Sequence, residues 1–72
     1  MRQHEDKMAD LLRQFGDAVA RGSRSRRRYY NEIGMWMDMI DEYNARASKP
    51  LTPDEIKEKR FRAIDEAVAR CR

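Results

Sequence analysis

Apolar residues recur along this chain with helical spacing and stop at two short polar breaks. Met8, Leu12, Phe15 and Val19 stand four, three and four residues apart, and Leu11 joins their side. Asp6, Asp10, Arg13 and Asp17 take the other side. This is the stripe of an amphipathic helix, and it predicts one over about residues 4–20. Glu5 and Asp6 near its start and Arg21 at its end suit the helix dipole. Gly16 interrupts the pattern. Either it lets another helix approach closely, or it is a tolerated residue costing up to about 1 kcal/mol against Ala.

Residues 21–25, Arg-Gly-Ser-Arg-Ser, form the first break. Gly22 suits the left-handed position that ends a helix, and Ser23 or Ser25 can cap the next one. So short a connection implies an antiparallel helical hairpin. The second helix is predicted over about residues 26–47. Tyr29, Ile33, Trp36, Ile40, Tyr43 and Ala47 alternate four and three residues apart, which makes a heptad seam. Tyr30, Met37 and Asn44 widen this seam on one edge. Met35 and Met39 fall outside it. A wide stripe with a Met pair beyond it calls for more than one neighbour, so this helix reads as the centre of the molecule.

The second break, Ser48-Lys49-Pro50-Leu51, leads into the strongest local signal in the chain, Thr52-Pro53-Asp54-Glu55. Thr52 as N-cap, Pro53 as first helical residue and Glu55 closing a capping box predict a third helix over about residues 53–70. Leu51 and Ile56 complete the start as a hydrophobic staple. Ile56, Ala63, Ile64, Ala67, Val68 and Cys71 form its apolar face, with Phe61 at the edge and the Arg60 stem alongside. This Ala-rich face suits close packing on a bulky neighbour, and the Trp- and Tyr-rich second helix is the expected one. Glu55–Lys59 and Glu58–Arg62 are exposed i,i+4 pairs. The whole reads as one all-α domain, residues 1–72: a hairpin with a capped third helix folded back.

The chain has 72 residues, of which 40% are hydrophobic and 40% charged. So small a core leaves marginal stability, which makes a dimer or a docked partner a reasonable expectation. The periodicity of the apolar residues argues against disorder. Net charge is +3, but it is unevenly placed: five of the sixteen basic residues lie between Arg21 and Arg28, where there is no acid. The other eleven stand against thirteen acids, so the rest of the chain is net −2. The excess positive charge is one local patch. A single Cys, Cys71, allows no internal disulfide, and no stretch approaches the ~20 apolar residues of a membrane span. A charged N-terminus without an apolar run completes the expectation of a cytoplasmic protein.

Catalytic chemistry finds little footing. The one His, His4, stands near one terminus and the one Cys near the other. Ser23, Ser25 and Ser48 lie in breaks with no evident base. Asp38, Asp41 and Glu42 cluster on the second helix without the His spacing of a metal site, and there is no Gly-rich phosphate loop. The expectation is a non-enzyme with no cofactor and no metal.

The binding candidates are Arg24, Arg26, Arg27 and Arg28, with Tyr30 and Asn31 beside them. Three uses compete: phosphate binding with Tyr29 and Tyr30 stacking on bases, contact with an acidic protein surface, and a solvated face with Arg28–Glu32 as a local pair. Met35 and Met39, together with Asp38, Asp41 and Glu42, are the candidate interface. Two copies packed antiparallel through the second helix would oppose its basic start to its acidic second half, which makes a homodimer one expected partner arrangement. The leading functional reading is a small protein-binding regulator or inhibitor that occludes a larger partner by bulk and charge. By analogy alone, its size and charge fit an inhibitor encoded by a phage or mobile element and aimed at a host nucleic-acid enzyme. The alternative is a nucleic-acid-binding module using the Arg21–Arg28 patch.

Overall fold

The computed structural model describes the backbone of residues 2–71 and the side chains of residues 6–71. Three helices appear: α1, Arg2–Arg21; α2, Arg26–Ala45; and α3, Pro53–Arg70. The fold is a small all-α, three-helix domain. Expectations resting on the side chains of His4 and Glu5 lie outside the described side chains.

Local chemistry sets the boundaries. At the end of α1, Gly22 takes φ +68°, the left-handed region, and its N–H bonds to the Ala18 carbonyl at 3.1 Å. Ser25 caps α2, its hydroxyl accepting from the Arg28 N–H at 3.3 Å. The Thr52 hydroxyl accepts from the Glu55 N–H at 3.2 Å, and the Glu55 carboxylate accepts from the Thr52 N–H at 3.0 Å, so the capping box is complete. The helix over 26–47 ends two residues early, at Ala45. There Asn44 turns to the following loop: its amide donates to the Leu51 carbonyl at 3.0 Å, and its oxygen accepts from the Leu51 N–H at 2.9 Å. This two-point clip holds the α2–α3 connection and starts the turn into α3.

The packing order differs from the expected one. α1, and not α2, is the middle element. Met8, Leu11, Leu12 and Phe15 supply four of the seven residues of the buried core cluster, Ile40 alone comes from α2, and Ile56 and Ala63 come from α3. Both other helices pack on α1, while no Cα of α2 comes within 8 Å of a Cα of α3. The reason is Gly16. A Cβ there would stand 2.4 Å from the Ala63 carbonyl oxygen, so the missing side chain is what lets α3 lie this close. Ala63 and Ala67 keep the approaching face of α3 shallow, and both are buried. Along the seam of α2, Ile40 is fully buried, Ile33, Trp36 and Tyr43 are half-buried against the core, and Tyr29 is half-buried.

Two cross-helix ion pairs fix direction. Arg21 reaches Glu32 at 2.7 Å across the hairpin, so α2 runs antiparallel to α1, whereas Arg70 reaches Asp17 at 2.6 Å, which sets the C-terminal end of α3 beside the C-terminal end of α1. Glu32 is thus taken by the last residue of α1, and the Arg28–Glu32 pair that belonged to the solvated-face alternative does not form. Of the two expected pairs on α3, Arg62 meets Glu58 at 3.4 Å, while the Glu55 carboxylate turns back to its cap. These pairs are exposed, and each contributes at most about 1 kcal/mol. On α3, Phe61 and Val68 are exposed where the apolar face was expected to be covered, and Cys71 is exposed too.

Two glycines with opposite surroundings give a direct check. Gly16→Ala should destabilise by about 1–3 kcal/mol in urea unfolding, because the overpacking against the Ala63 backbone exceeds the helix-propensity gain of about 1 kcal/mol. Gly34 has nothing within 4 Å of a new Cβ. Gly34→Ala should therefore stabilise by about 0.5–1 kcal/mol. Equal effects at the two sites would show that α3 does not sit against Gly16.

Glu55 supplies a pH signature. The backbone hydrogen bond from Thr52, helped by the Thr52 side chain and by Lys59, holds its carboxyl below the ordinary value of 4.5. A depressed folded value stabilises at pH above the unfolded value, and the gain disappears as pH falls through the folded value. Thermal unfolding of the protein and of Glu55→Gln should differ near neutral pH, and the gap should narrow on acidification below 4.5. A gap constant with pH would assign the effect of Glu55 to something other than its charge.

Candidate protein-binding surface

Because α1 takes the centre, α2 covers the core with one side and presents the other to solvent. The exposed side carries the residues singled out as binding candidates. Arg24, Arg26, Arg27 and Arg28 are all exposed. None of the four has a carboxylate within 4 Å among the described residues. Ser25, Arg27, Arg28, Asn31, Glu32 and Met35 line one shallow, open depression. The structure thus brings Arg27, Arg28 and Asn31 together with Met35, and Arg21 reaches the rim through its bond to Glu32.

The two tyrosines part ways. The Tyr29 hydroxyl donates to the Val19 carbonyl at 3.4 Å, and its half-buried ring ties α2 to the end of α1. Tyr30 points outward and is 63% exposed, its ring packed edge-on to Tyr29 at a centroid distance of 5.5 Å and an interplanar angle of 64°. Of the two, Tyr30 is the one with an exposed aromatic face. Met35 is 51% and Met39 40% exposed. Asp38, Asp41 and Glu42 are exposed as well, and Glu42 pairs locally with Arg46 at 2.9 Å.

The charge order along α2 opposes its own dipole. Three Arg fill its first turn, there is no acid in that turn, and no base stands in its last turn. Charge of this sign at these ends costs a few tenths of a kcal/mol per residue at low ionic strength. Among the described residues, the arginines have no carboxylate partner that would offset that cost. Sequence reasoning passed over a second open area, between the end of α2 and the start of α3, lined by Asp41, Asn44, Ala45, Leu51, Ile56 and Arg60. Its signal was the Asn44–Leu51 spacing across the break, which becomes readable only when the loop conformation is known.

Among the described residues, no group of three or more His, Cys, Asp or Glu is placed to hold a metal ion, and no helix is long and apolar enough to cross a membrane. Comparison with protein-family models, with curated proteins and with solved structures yielded no match.

Proposed function

We propose that this protein is a non-enzymatic regulator or inhibitor that binds the acidic surface of a larger protein and occludes it. The observation that carries this reading is the row of exposed arginines, Arg24, Arg26, Arg27 and Arg28, unpaired with any carboxylate among the described residues and set at a helix start that disfavours them. A charge arrangement that weakens the helix points to a use outside the chain. The surroundings favour protein over nucleic acid. Met35 continues the surface from Arg28 and Asn31, and Met and Arg are both enriched at protein interfaces. Asp38, Asp41 and Glu42 follow within the next turns, where they would repel a phosphate backbone running along α2. Tyr29 is engaged with the Val19 carbonyl, which leaves Tyr30 as the one ring of the pair free to stack on a base. Binding of this kind needs no cofactor and acts one chain per site.

The test is capture from a lysate of the host cell by the immobilised full chain, with and without nuclease. It compares the native sequence with the double variant Arg26→Glu plus Arg27→Glu. The variant should fold at least as stably, since acids suit the first turn of a helix. A protein retained after nuclease, released by rising salt and reduced at least about tenfold by the double variant is the expected result. Loss of capture on nuclease treatment, or equal capture by the variant, would overturn the reading. The first outcome, joined to a steep salt dependence of direct DNA or RNA binding, would make the Arg21–Arg28 patch a nucleic-acid site.

A further inference from the structure

We infer that the outward stripe of α2 binds a second copy of this chain, antiparallel, with Met35 at the two-fold axis. Arg28, Met35 and Glu42 stand seven residues apart, which on a helix is two turns, about 10.5 Å, with the three side chains on one face. All three are exposed. A copy laid antiparallel over Met35 therefore sets Arg28 of each chain against Glu42 of the other, giving two symmetry-related ion pairs around a central Met–Met contact. Asn31 and Met39 flank the axis one turn to either side. The 40% exposed Met39 adds apolar area where Met35 alone would be too little.

Charge and dipole both select this orientation. α2 is basic in its first turn and has no base in its last, with three of its four acids, Asp38, Asp41 and Glu42, in the second half. An antiparallel neighbour brings its acidic half and the negative end of its dipole to the basic start, so the mismatch within one helix is relieved by the other. A parallel neighbour would set Arg28 against Arg28. The Glu42–Arg46 pair does not compete strongly. Both side chains are well exposed, and such an i,i+4 pair contributes little and can be shared. Arg24, Arg26 and Arg27 lie off the Arg28–Met35–Glu42 stripe. The dimer would display them as two equivalent patches at its opposite ends. The inference rests on the reading of α2 as the binding helix, and it reassigns Arg28 and Met35 from the partner surface to the contact between copies, leaving Arg24, Arg26 and Arg27 to the larger partner.

Sedimentation equilibrium of the full chain tests it, over concentrations on the order of 10 µM to 1 mM. The native chain of 8.6 kDa should approach twice that mass as concentration rises. Met35→Asp should abolish association. Arg28→Glu and Glu42→Arg should each weaken it at least about tenfold, and the two together should restore it to within about threefold of the native chain. Far-UV circular dichroism checks that each variant stays helical, and the rescue by the double reversal does not depend on the Met35 variant folding. A native chain that stays at 8.6 kDa throughout overturns the proposal, as does association indifferent to Met35→Asp. Weakening by both single reversals without rescue overturns the antiparallel register. A monomeric chain that still captures a protein through Arg26 and Arg27 sinks the dimer and leaves the proposed function standing. A dimer whose Arg26→Glu plus Arg27→Glu variant captures as the native chain does has the opposite meaning.

Discussion

The contact between Gly16 and the Ala63 backbone decides how this molecule is arranged. Helices usually stand 8–10 Å apart, at a distance set by the side chains between them. Where one side is glycine and the other alanine, the backbones close up and bury Ala63 and Ala67 with little side-chain entropy lost. That draws α3 onto α1. With Met8, Leu11, Leu12 and Phe15 facing inward, α1 then has both neighbours on its apolar side. α2 is left as an outer helix, held by Ile40, by the Tyr29 bond to Val19, by the Arg21–Glu32 pair and by the Asn44 clip.

This division of labour explains why α2 can carry an awkward set of residues. Its inner seam meets the demands of the core. Its outer side is not needed for packing, so arginines at the wrong end of the dipole and half-exposed methionines are tolerated there at a cost of tenths of a kcal/mol. In a chain of 72 residues the margin of stability is small, and features that lower it without a packing role point outward. The two parts of the proposed surface divide along the helix circumference: Arg24, Arg26 and Arg27 for a larger partner, and the Arg28–Met35–Glu42 stripe for a second copy.

The helices themselves were legible in the sequence because their signals are local. Gly22 had to end α1 and Thr52–Glu55 had to start α3, since each satisfies orphan backbone groups within a few residues. The seam of α2 was also legible, including the inward place of Tyr29 and the outward place of Met35 and Met39. The order of packing was not. A periodic row of Trp, Tyr and Ile looks like the centre of a domain, whereas Gly16 looks like a defect until the residue opposite it is known. Pairings across helices were hidden for the same reason: Glu32 has Arg28 one turn away in sequence, yet the hairpin brings Arg21 closer. Exposed Phe61 and Val68 were missed because helical phase shows which residues share a face but not how far the neighbour extends over it.

Residue-resolved native-state hydrogen exchange tests the arrangement most directly, since it ranks the helices by the free energy needed to open each one. The amides of Leu11, Leu12 and Phe15 in α1, with Ala63 and Ala67 in α3, are expected to exchange slowest and together, as the cooperative unit closed by Gly16. Those of α2 between Ile33 and Ile40 should open at lower free energy. Slowest exchange in the middle of α2, with α3 opening apart from α1, would contradict a fold built around α1 and restore α2 to the centre.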